Sequence, residues 1–256
     1  MLRVLLSGLI VVVVLMCSGT RPAIAQTDAQ SFRNFQLSSP RVADAWRRYN
    51  DTLKNTFKKK GMAWPPKDIY LRAFKLQNQM ELWARNGDAA EYKLMKTYNV
   101  CAMSGALGPK REQGDRQVPE GFYFIDDFNP KSDYLLSLLV SYPNYSDQLL
   151  AKGKTGGDIY IHGGCVTIGC LPMTNEGIEE VYTLCLNAKL SGQEYIPVHI
   201  YPTRMNRNGI NYLLQEFTGN TEKQQFWVQL KEEYEYFEKN HKLLPVMYGI
   251  DGKYVN

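Results

Sequence analysis

The stretch IYIHGGCVTIGCLPM at 159–173 holds one histidine, three glycines and two cysteines, residue types that can do chemistry when they are brought together. Alternation over Asp158–His162 predicts a strand, and the two glycines that follow His162 allow the chain to turn sharply. Eight residues after His162, Cys170 follows Gly169 in a predicted turn. A strand, a tight excursion and a return can therefore bring His162 and Cys170 side by side.

A thiol beside an imidazole favours nucleophilic catalysis, because the thiolate is the reactive form of cysteine. A free thiol with a pKa of about 8.5 is mostly protonated near neutral pH, and a histidine partner can lower that pKa by one to several units. The backbone amides of Gly169 and Cys170 could face a developing oxyanion, at about 3 kcal/mol per donor. This is the layout of a cysteine acyltransferase.

Two structural alternatives use the same residues. Cys165 and Cys170 could form a disulfide, or a zinc ion could be held by His162, Cys165, Cys170 and Cys185. The zinc alternative is weak because no paired CxxC motif is present. Cys185 falls on the apolar face of a predicted helix, where a small buried hydrophobic residue is expected.

The segments that must position this stretch predict mostly antiparallel β-structure. Short extended runs cover 68–75, 79–85, 91–103, 121–125, 134–141, 158–162 and 196–201, and Asn86-Gly87 is a hairpin signal. His199, in the last run, is expected to be structural or exposed. The predicted fold class is mainly β with flanking helices (α+β), with a curved sandwich or barrel core.

Helical periodicity marks three further segments. From Arg41 to Lys59 apolar residues recur at steps of three and four, and Pro65-Pro66 closes this N-terminal helical segment. Thr174 is the predicted N-cap of a helix that begins shortly after the second cysteine of the motif. Near the C-terminus, Thr221 with Gln224 has the form of a capping box. The buried stripe of that last helix is predicted to be Phe226, Leu230, Tyr234 and Phe237.

The first 25 residues have the order of a secretory signal peptide. Arg3 precedes an apolar run to Met16, and Ala23-Ile24-Ala25 is a small-x-small cleavage sequence. The run is shorter than the roughly 20 apolar residues of a comfortable membrane span, and a retained anchor is the alternative. We therefore expect cleavage after Ala25, a periplasmic or secreted protein, and no stable membrane insertion after cleavage.

Cleavage would leave 231 residues, enough for one large domain or a domain with an appendage. We expect a helical segment at 26–66 and a main domain at 67–256. Two arginines leave with the signal, so 28 basic residues face 26 acidic ones and the formal charge is +2. This near balance argues against a nucleic-acid partner. Four cysteines remain, and at least one free thiol is plausible in an oxidising compartment.

The order His162-Gly163, Thr167, Gly169-Cys170 resembles the signature of the L,D-transpeptidase catalytic domain family (YkuD type), a His-Gly pair followed by Ser/Thr-x-Gly-Cys. Three more segments lie in the order of the YafK-like branch of that family: GALGPKREQGDRQVPEGFY at 105–123, SYPNYSD at 141–147 and PVHIYPTRM at 197–205. The resemblance covers the chain from about Asp68 to the C-terminus. It implies an L,D-transpeptidase-like core with N-terminal and C-terminal helices.

Position by position, the resemblance implies that Cys170 is the nucleophile, that His162 is its base and that Gly169 belongs to the oxyanion turn. Gly163 and Thr167 fall on motif positions that border the substrate.

The sequence departs from many relatives at two positions. Ile168 and Pro172 stand where those relatives carry a second histidine and an arginine, a loss that the YafK-like branch shares. A cation that binds the substrate carboxylate must then come from elsewhere, and Arg116 and Arg204 are the candidates. The alternative for each is a surface or intraprotein salt bridge. Tyr145, in the SYPNYSD segment, could line the substrate cleft or pack a turn.

The family implies peptidoglycan stem peptides that contain meso-diaminopimelate as substrate, and neither metal nor nucleotide as cofactor. Passing the acyl group from a thioester to an amine would form a crosslink. Passing it to water would make the protein an L,D-peptidase or amidase that cuts stems or releases a wall-linked lipoprotein. A hypothesis from another class is a non-catalytic cell-wall-binding module whose cysteines are merely paired.

Overall fold

The computed structural model describes residues 23–88 and 90–255. The first 22 residues of the expected signal peptide lie outside that part of the chain. The first described helix, α1 (Ala23–Leu37), begins just before the expected cleavage site. Within the described ranges no helix combines the length and the apolar character needed to cross a membrane.

One eight-stranded mixed sheet forms the centre of the fold. Its strands are β1 (Asp68–Phe74), β2 (Gln79–Arg85), β3 (Lys93–Asn99), β4 (Gly121–Asn129), β5 (Ser137–Val140), β6 (Tyr160–His162), β7 (Leu171–Pro172) and β8 (Pro197–Tyr201). They lie in the order β3-β2-β1-β8-β4-β5-β6-β7. Two pairs are parallel, β1 with β8 and β6 with β7, and the other neighbours are antiparallel. A separate two-stranded sheet pairs β9 (Met247–Tyr248) with β10 (Tyr254–Val255).

Six helices flank the sheet in the described part of the chain. After α1 they are α2 (Pro40–Lys59), α3 (Tyr145–Leu149), α4 (Asn175–Leu190), α5 (Arg207–Glu216) and α6 (Thr221–Asn240). The predicted fold class, mainly β with flanking helices, is confirmed.

The sheet buries its two faces in different ways. Inward-pointing residues of one face, such as Leu71 and Ile161, pack with α2 and α4 in the largest apolar core. On the opposite face Phe122 and Tyr201 pack against Trp227 of α6. Since burying a large apolar side chain stabilises by about 1.5–3 kcal/mol, both layers hold the sheet in place. The face that α6 covers continues across β5 and β6 to the motif at 159–173.

Side-chain caps define where two of the predicted helices begin. Thr174 caps α4, because its side chain accepts the backbone amide of Gly177 at 3.1 Å. The predicted capping box at Thr221 is wrong by one residue. Asn220 is the N-cap of α6 and accepts the backbone amide of Lys223 at 3.1 Å. Asparagine is at least as good an N-cap as threonine, so the cap moves one residue earlier.

Candidate active site

His162 and Cys170 lie on neighbouring parallel segments of the sheet. In the β6–β7 pair, Ile161 is opposite Leu171 and His162 is opposite Pro172. Because side chains alternate with a period of two, Cys170 shares the face of His162. Diagonal neighbours of this kind have Cα atoms about 7–8 Å apart. The structure thus brings together the two residues to which the sequence gave the roles of nucleophile and base.

The imidazole of His162 is buried, and one backbone contact determines which of its two nitrogens carries the proton. Its Nδ1 lies 2.6 Å from the carbonyl oxygen of Gly163. A carbonyl oxygen can only accept, so Nδ1 carries the proton and Nε2 keeps a lone pair. Burial lowers the pKa of His162 below its ordinary value, and the Gly163 carbonyl opposes this only partly. The ring is therefore neutral near pH 7 and can act as a base.

The Cys170 thiol is half-buried and protonated. Its Sγ donates to the carbonyl oxygen of Asp158 at 3.5 Å, and in the described residues it makes no hydrogen bond to His162. Burial raises the pKa of Cys170, and the Asp158 carboxylate adds to that shift. The Tyr160 backbone amide opposes it. The sequence led us to expect a lowered thiol pKa; here desolvation outweighs the groups that favour the thiolate.

The turn that carries Cys170 is closed by Thr167. The Thr167 Oγ1 accepts the amides of Gly169 at 3.1 Å and Cys170 at 2.8 Å, and it donates to the Cys170 carbonyl oxygen at 2.8 Å. The two amides that were expected to face an oxyanion thus already donate to the Thr167 hydroxyl. Threonine side chains commonly bind nearby backbone amides in turns. Gly169 adopts φ +140°, a conformation that favours glycine.

Gly163 is required by close packing. A Cβ atom there would lie 2.8 Å from the Asn175 Oδ1 and 2.8 Å from the Tyr134 carbonyl oxygen. The same Asn175 Oδ1 accepts the amide of Gly164 at 3.1 Å, which fixes the turn after β6. The Tyr134 ring lies 4.5 Å from the His162 ring, centroid to centroid. Sequence reasoning missed Asn175 and Tyr134, because no local pattern distinguishes them from ordinary helix-start and strand residues.

Cys165 is bonded to Cys101, so it is not paired with Cys170. The disulfide links the loop between His162 and Cys170 to the chain just after β3. Cys170 and Cys185 are free, and Cys185 is buried in the apolar core as predicted. The alternative of a Cys165–Cys170 disulfide is therefore wrong, and the four-ligand zinc set loses one thiol. Among residues 23–88 and 90–255 no group of three or more His, Cys, Asp or Glu side chains could hold a metal ion.

The backbone of Arg116 lies beside the turn that carries Cys170. A Cβ atom on Gly169 would lie 3.4 Å from the Gln117 carbonyl oxygen and 3.9 Å from the Arg116 carbonyl carbon. The loop is held there by the buried ion pair of Lys75 and Glu120, with 2.9 Å between Nζ and Oε1. The Arg116 side chain is exposed and makes no hydrogen bond or ion pair with the described residues. Of the two candidate arginines, this is the one that the fold brings to Cys170.

Arg204 is held at the other end of the sheet. Its guanidinium donates to Glu81 at 2.7 Å and to Gln79 at 3.0 Å, and both partners belong to β2. Four strands separate β2 from β6. The buried Glu81 carboxylate needs cationic partners, and Arg204 supplies one of them, so the structure does not bring Arg204 to Cys170.

Tyr145 lies on α3, at the side of a cleft of about 560 Å³. Asn144 caps this short helix by accepting the Asp147 amide at 3.0 Å. The Tyr145 ring is 47% exposed and lies 5.6 Å from the Tyr248 ring. Tyr145 therefore lines a cleft, one of the two alternatives that the sequence left open for it.

A free cysteine in a tight turn beside a histidine strand, on a mixed sheet with flanking helices, is the arrangement that the L,D-transpeptidase resemblance implies, and sequence comparison agrees. The profile of the L,D-transpeptidase catalytic domain family (YkuD) matches residues 70–213, a range that includes His162 and Cys170. The chain belongs to this family, and the resemblance stated above is confirmed.

The chain is 37% identical over 189 residues to a protein of Escherichia coli (strain K12) named "Putative L,D-transpeptidase YafK", with 73% of each chain covered. Among solved structures it is similar to the helical cell shape determining protein Pgp2 from Campylobacter jejuni, with a TM-score of 0.43 and 17% identity over 72% of this chain and 74% of that one. It is also similar to Bdellovibrio bacteriovorus Bd1075, with a TM-score of 0.38 and 18% identity over 69% and 72%. These two structural similarities are too distant to carry a functional argument.

Proposed function

We propose that this protein is a periplasmic cysteine acyltransferase of peptidoglycan metabolism, of the L,D-transpeptidase type. One observation carries the proposal: a free thiol, Cys170, shares a sheet face with a neutral His162 whose Nδ1 is bound to Gly163 and whose Nε2 keeps a lone pair. That pair is a nucleophile with its base.

The reaction begins when the Cys170 thiol turns from the Asp158 carbonyl toward His162. Nε2 takes the thiol proton as Sγ attacks the carbonyl carbon of the L-centre of diaminopimelate. The tetrahedral intermediate collapses with loss of the C–N bond, and the imidazolium returns the proton to the departing amine. An acceptor amine then attacks the thioester, gives a proton to His162 and displaces Sγ, which recovers a proton. The product is a new amide bond and the free enzyme.

Arg116 is the proposed contact for a substrate carboxylate. The Arg116 backbone passes beside Gly169, the side chain is exposed, and a guanidinium can form two parallel hydrogen bonds to a carboxylate. Neither Ile168, which is 77% exposed, nor the buried Pro172 can supply that charge.

Hydrolysis is the second candidate function. The exposed apolar Ile168 and the apolar Pro172 offer no charged group to hold an acceptor's carboxylate, which favours water as the acyl acceptor. The protein would then be an L,D-peptidase or amidase that cuts murein stems or releases a wall-linked lipoprotein. Both candidates share the acyl-enzyme and differ in the second half-reaction.

The periplasmic location rests on the expected signal peptide and on the Cys101–Cys165 disulfide, because structural disulfides are typical of oxidising compartments.

The test is mass spectrometry of the mature protein after incubation with disaccharide-tetrapeptide, with and without a D-amino acid as acceptor. We expect an acylated Cys170 and an exchanged terminal residue, both absent in Cys170→Ala and both present in the matched control Cys185→Ala. Loss of the terminal residue without exchange would make the protein a hydrolase. A product pattern that is the same in Cys170→Ala would remove both candidates and favour a non-catalytic wall-binding module.

A further inference from the structure

The cleft of about 560 Å³ beside α3 has aromatic walls. It is bounded by β4, the residues after β5, α3 and the C-terminal segment, and the rings of Phe124, Tyr145 and Tyr248 line it. The Tyr145 and Tyr248 rings meet edge to face, with centroids 5.6 Å apart. Flat rings that stay accessible offer apolar surfaces on which another flat or chair-shaped group can stack.

The polar groups of the cleft are the Asp126 carboxylate, hydroxyls, and the Asn144 amide, whose Nδ2 already donates to the Phe122 carbonyl oxygen and the Tyr254 hydroxyl. Asp126 is the extra residue of a β-bulge, where the β4–β5 register shifts between Ile125 and Asp127. Its carboxylate is exposed and makes no hydrogen bond or ion pair with the described residues. The Ser141 hydroxyl accepts the Phe124 amide at 3.0 Å and keeps its own proton to donate. The lining contains neither lysine nor arginine, so an anionic ligand has nothing to bind there.

The cleft and the thiol lie on one face of the sheet. Leu139 is opposite Tyr160 in the β5–β6 pair, and the β6–β7 register continues from Tyr160 to Cys170. Ser141 lies two residues beyond Leu139 on the same face. Two strand spacings and a two-residue step place the Cys170 Cα about 12 Å from that of Ser141. The Cys170 thiol also points toward the end of the sheet that holds Ser141, because it donates to the carbonyl oxygen of Asp158.

This separation matches a short peptide. Three extended residues span about 10–11 Å. In the proposed donor, three stem residues separate the sugar from the carbonyl that Cys170 attacks. When that carbonyl lies at Cys170, the sugar lies at the cleft.

We infer that the aromatic cleft of Phe124, Tyr145 and Tyr248, with Asp126 and Ser141 at its edge, binds a sugar ring of the glycan to which the donor stem is attached. The inference rests on the proposed function and adds a glycan subsite to it. The apolar face of a pyranose stacks on tyrosine rings, and its hydroxyls donate to the Asp126 carboxylate. Tyrosine rings can also surround an ammonium group, but a cleft of about 560 Å³ is far larger than an ammonium group requires, which favours a ring-sized ligand.

The kinetic test compares two donors, disaccharide-tetrapeptide and the free tetrapeptide, by the rate of Cys170 acylation. We expect kcat/KM to be at least about fivefold higher for the sugar-linked donor in the wild type. In Tyr145→Ala that ratio should fall toward one, while Tyr145→Phe, which keeps the ring, should retain most of it. Tyr212→Ala, a partly exposed tyrosine on α5, is the matched control and should leave the ratio unchanged. A wild-type ratio near one, or a ratio that Tyr145→Ala does not alter in a protein with wild-type circular dichroism, would overturn the inference.

A binding test does not depend on acyl transfer. Peptide-free disaccharide is titrated into Cys170→Ala and followed by NMR, and the tyrosine signals of the cleft should shift in a saturable way that Tyr145→Ala abolishes. If neither donor acylates Cys170, the proposed function fails, and the titration still decides the fate of the subsite. Stronger binding of free diaminopimelate than of the disaccharide at these tyrosines would make the cleft a cation site and overturn the inference.

Discussion

The Nδ1 atom of His162 lies 2.6 Å from the carbonyl oxygen of Gly163, and this contact leaves Nε2 as the only ring nitrogen with a lone pair. The histidine is thereby oriented by its own neighbour in the chain. Gly163 is held in turn by Asn175 and Tyr134, which leave no room for a side chain on it. The orientation of His162 therefore depends on the backbone at Gly163 and on the Asn175 side chain that fixes the turn after β6.

The first prediction concerns pH. Burial raises the pKa of Cys170 and lowers that of His162, so the resting pair is a neutral thiol and a neutral imidazole. Alkylation of Cys170 by iodoacetamide should therefore rise with pH until it passes the ordinary thiol pKa, without a plateau near pH 6–7. His162→Gln should lower substrate acylation by about 10²-fold or more, while alkylation at high pH persists. A neutral-pH plateau that His162→Gln removes would indicate a thiolate–imidazolium pair and contradict this reading.

The second prediction concerns the turn. Thr167→Val removes the acceptor of the Gly169 and Cys170 amides and should lower kcat/KM about tenfold or more, because two amides lose their partner. Thr167→Ser keeps the hydroxyl and should stay within about threefold of the wild type. Equal rates for the valine and serine variants would show that the hydroxyl does not organise the turn.

The third prediction compares two arginines. Arg116→Ala should raise KM for the donor about tenfold with little change in thermal stability, because in the proposed function its guanidinium binds a substrate carboxylate and it makes no hydrogen bond or ion pair with the described residues. Arg204→Ala should leave KM nearly unchanged and lower the stability of the fold. It breaks the charged hydrogen bonds to Glu81 and Gln79, which costs about 1–3 kcal/mol of unfolding free energy. Steady-state kinetics and urea unfolding of both variants separate the two roles. An Arg204→Ala variant with wild-type stability and a raised KM would reverse our assignment.

The fourth prediction concerns the disulfide. Cys101 and Cys165 are 64 residues apart, and closing a loop of that length in the unfolded chain is worth about 4 kcal/mol in the chain-entropy account. The double variant Cys101→Ser/Cys165→Ser should therefore unfold at lower urea concentration. The matched variant Cys170→Ser should unfold like the wild type. If the reductant dithiothreitol does not alter the unfolding midpoint of the wild type, the bond does not contribute to stability.

The fifth prediction concerns a buried carboxyl group away from the active site. Burial raises the pKa of Glu233 to about 8, and its Oε1 lies 3.9 Å from the Nδ1 of His199, whose own pKa burial lowers to about 3. Tyr70 and Tyr201 face the same pocket. The Leu244 amide, which donates to the carboxylate at 3.2 Å, and the nearby Arg72 favour the ionised form but do not outweigh burial.

A carboxyl group with a raised pKa stabilises the fold fully below its unfolded pKa and loses that contribution as the pH rises toward the folded value. The free energy of unfolding should therefore decline between about pH 4.5 and pH 8. Glu233→Gln should flatten this decline and be more stable than the parent at pH 8 by about 1–3 kcal/mol. The exposed neighbour substitution Glu232→Gln should not change the slope. Parallel curves for the parent and Glu233→Gln would show that Glu233 is ionised in the fold.

Local patterns predicted the elements that local physics controls. Alternation identified β1 and β2, and the 3.6-residue period identified α2 and the buried stripe of α6. They missed α5 and β7, which are a short helix with one buried residue and a two-residue strand. A two-residue strand is too short for a period to be visible, and α5 buries only Leu213, so its apolar pattern is a weak signal of a packed helix.

The sequence by itself determined the family, and it predicted the roles of His162 and Cys170 and the return of the chain that places them on one sheet face, because these depend on residue type and on short stretches of backbone. Only the tertiary structure decided the partner of Cys165, the separation of Arg116 from Arg204 and the direction of the thiol pKa shift. Each of these depends on groups far apart in the chain. Cys101 meets Cys165 across 64 residues, Arg204 meets a carboxylate on β2, and desolvation of Cys170 is the sum of everything packed around it.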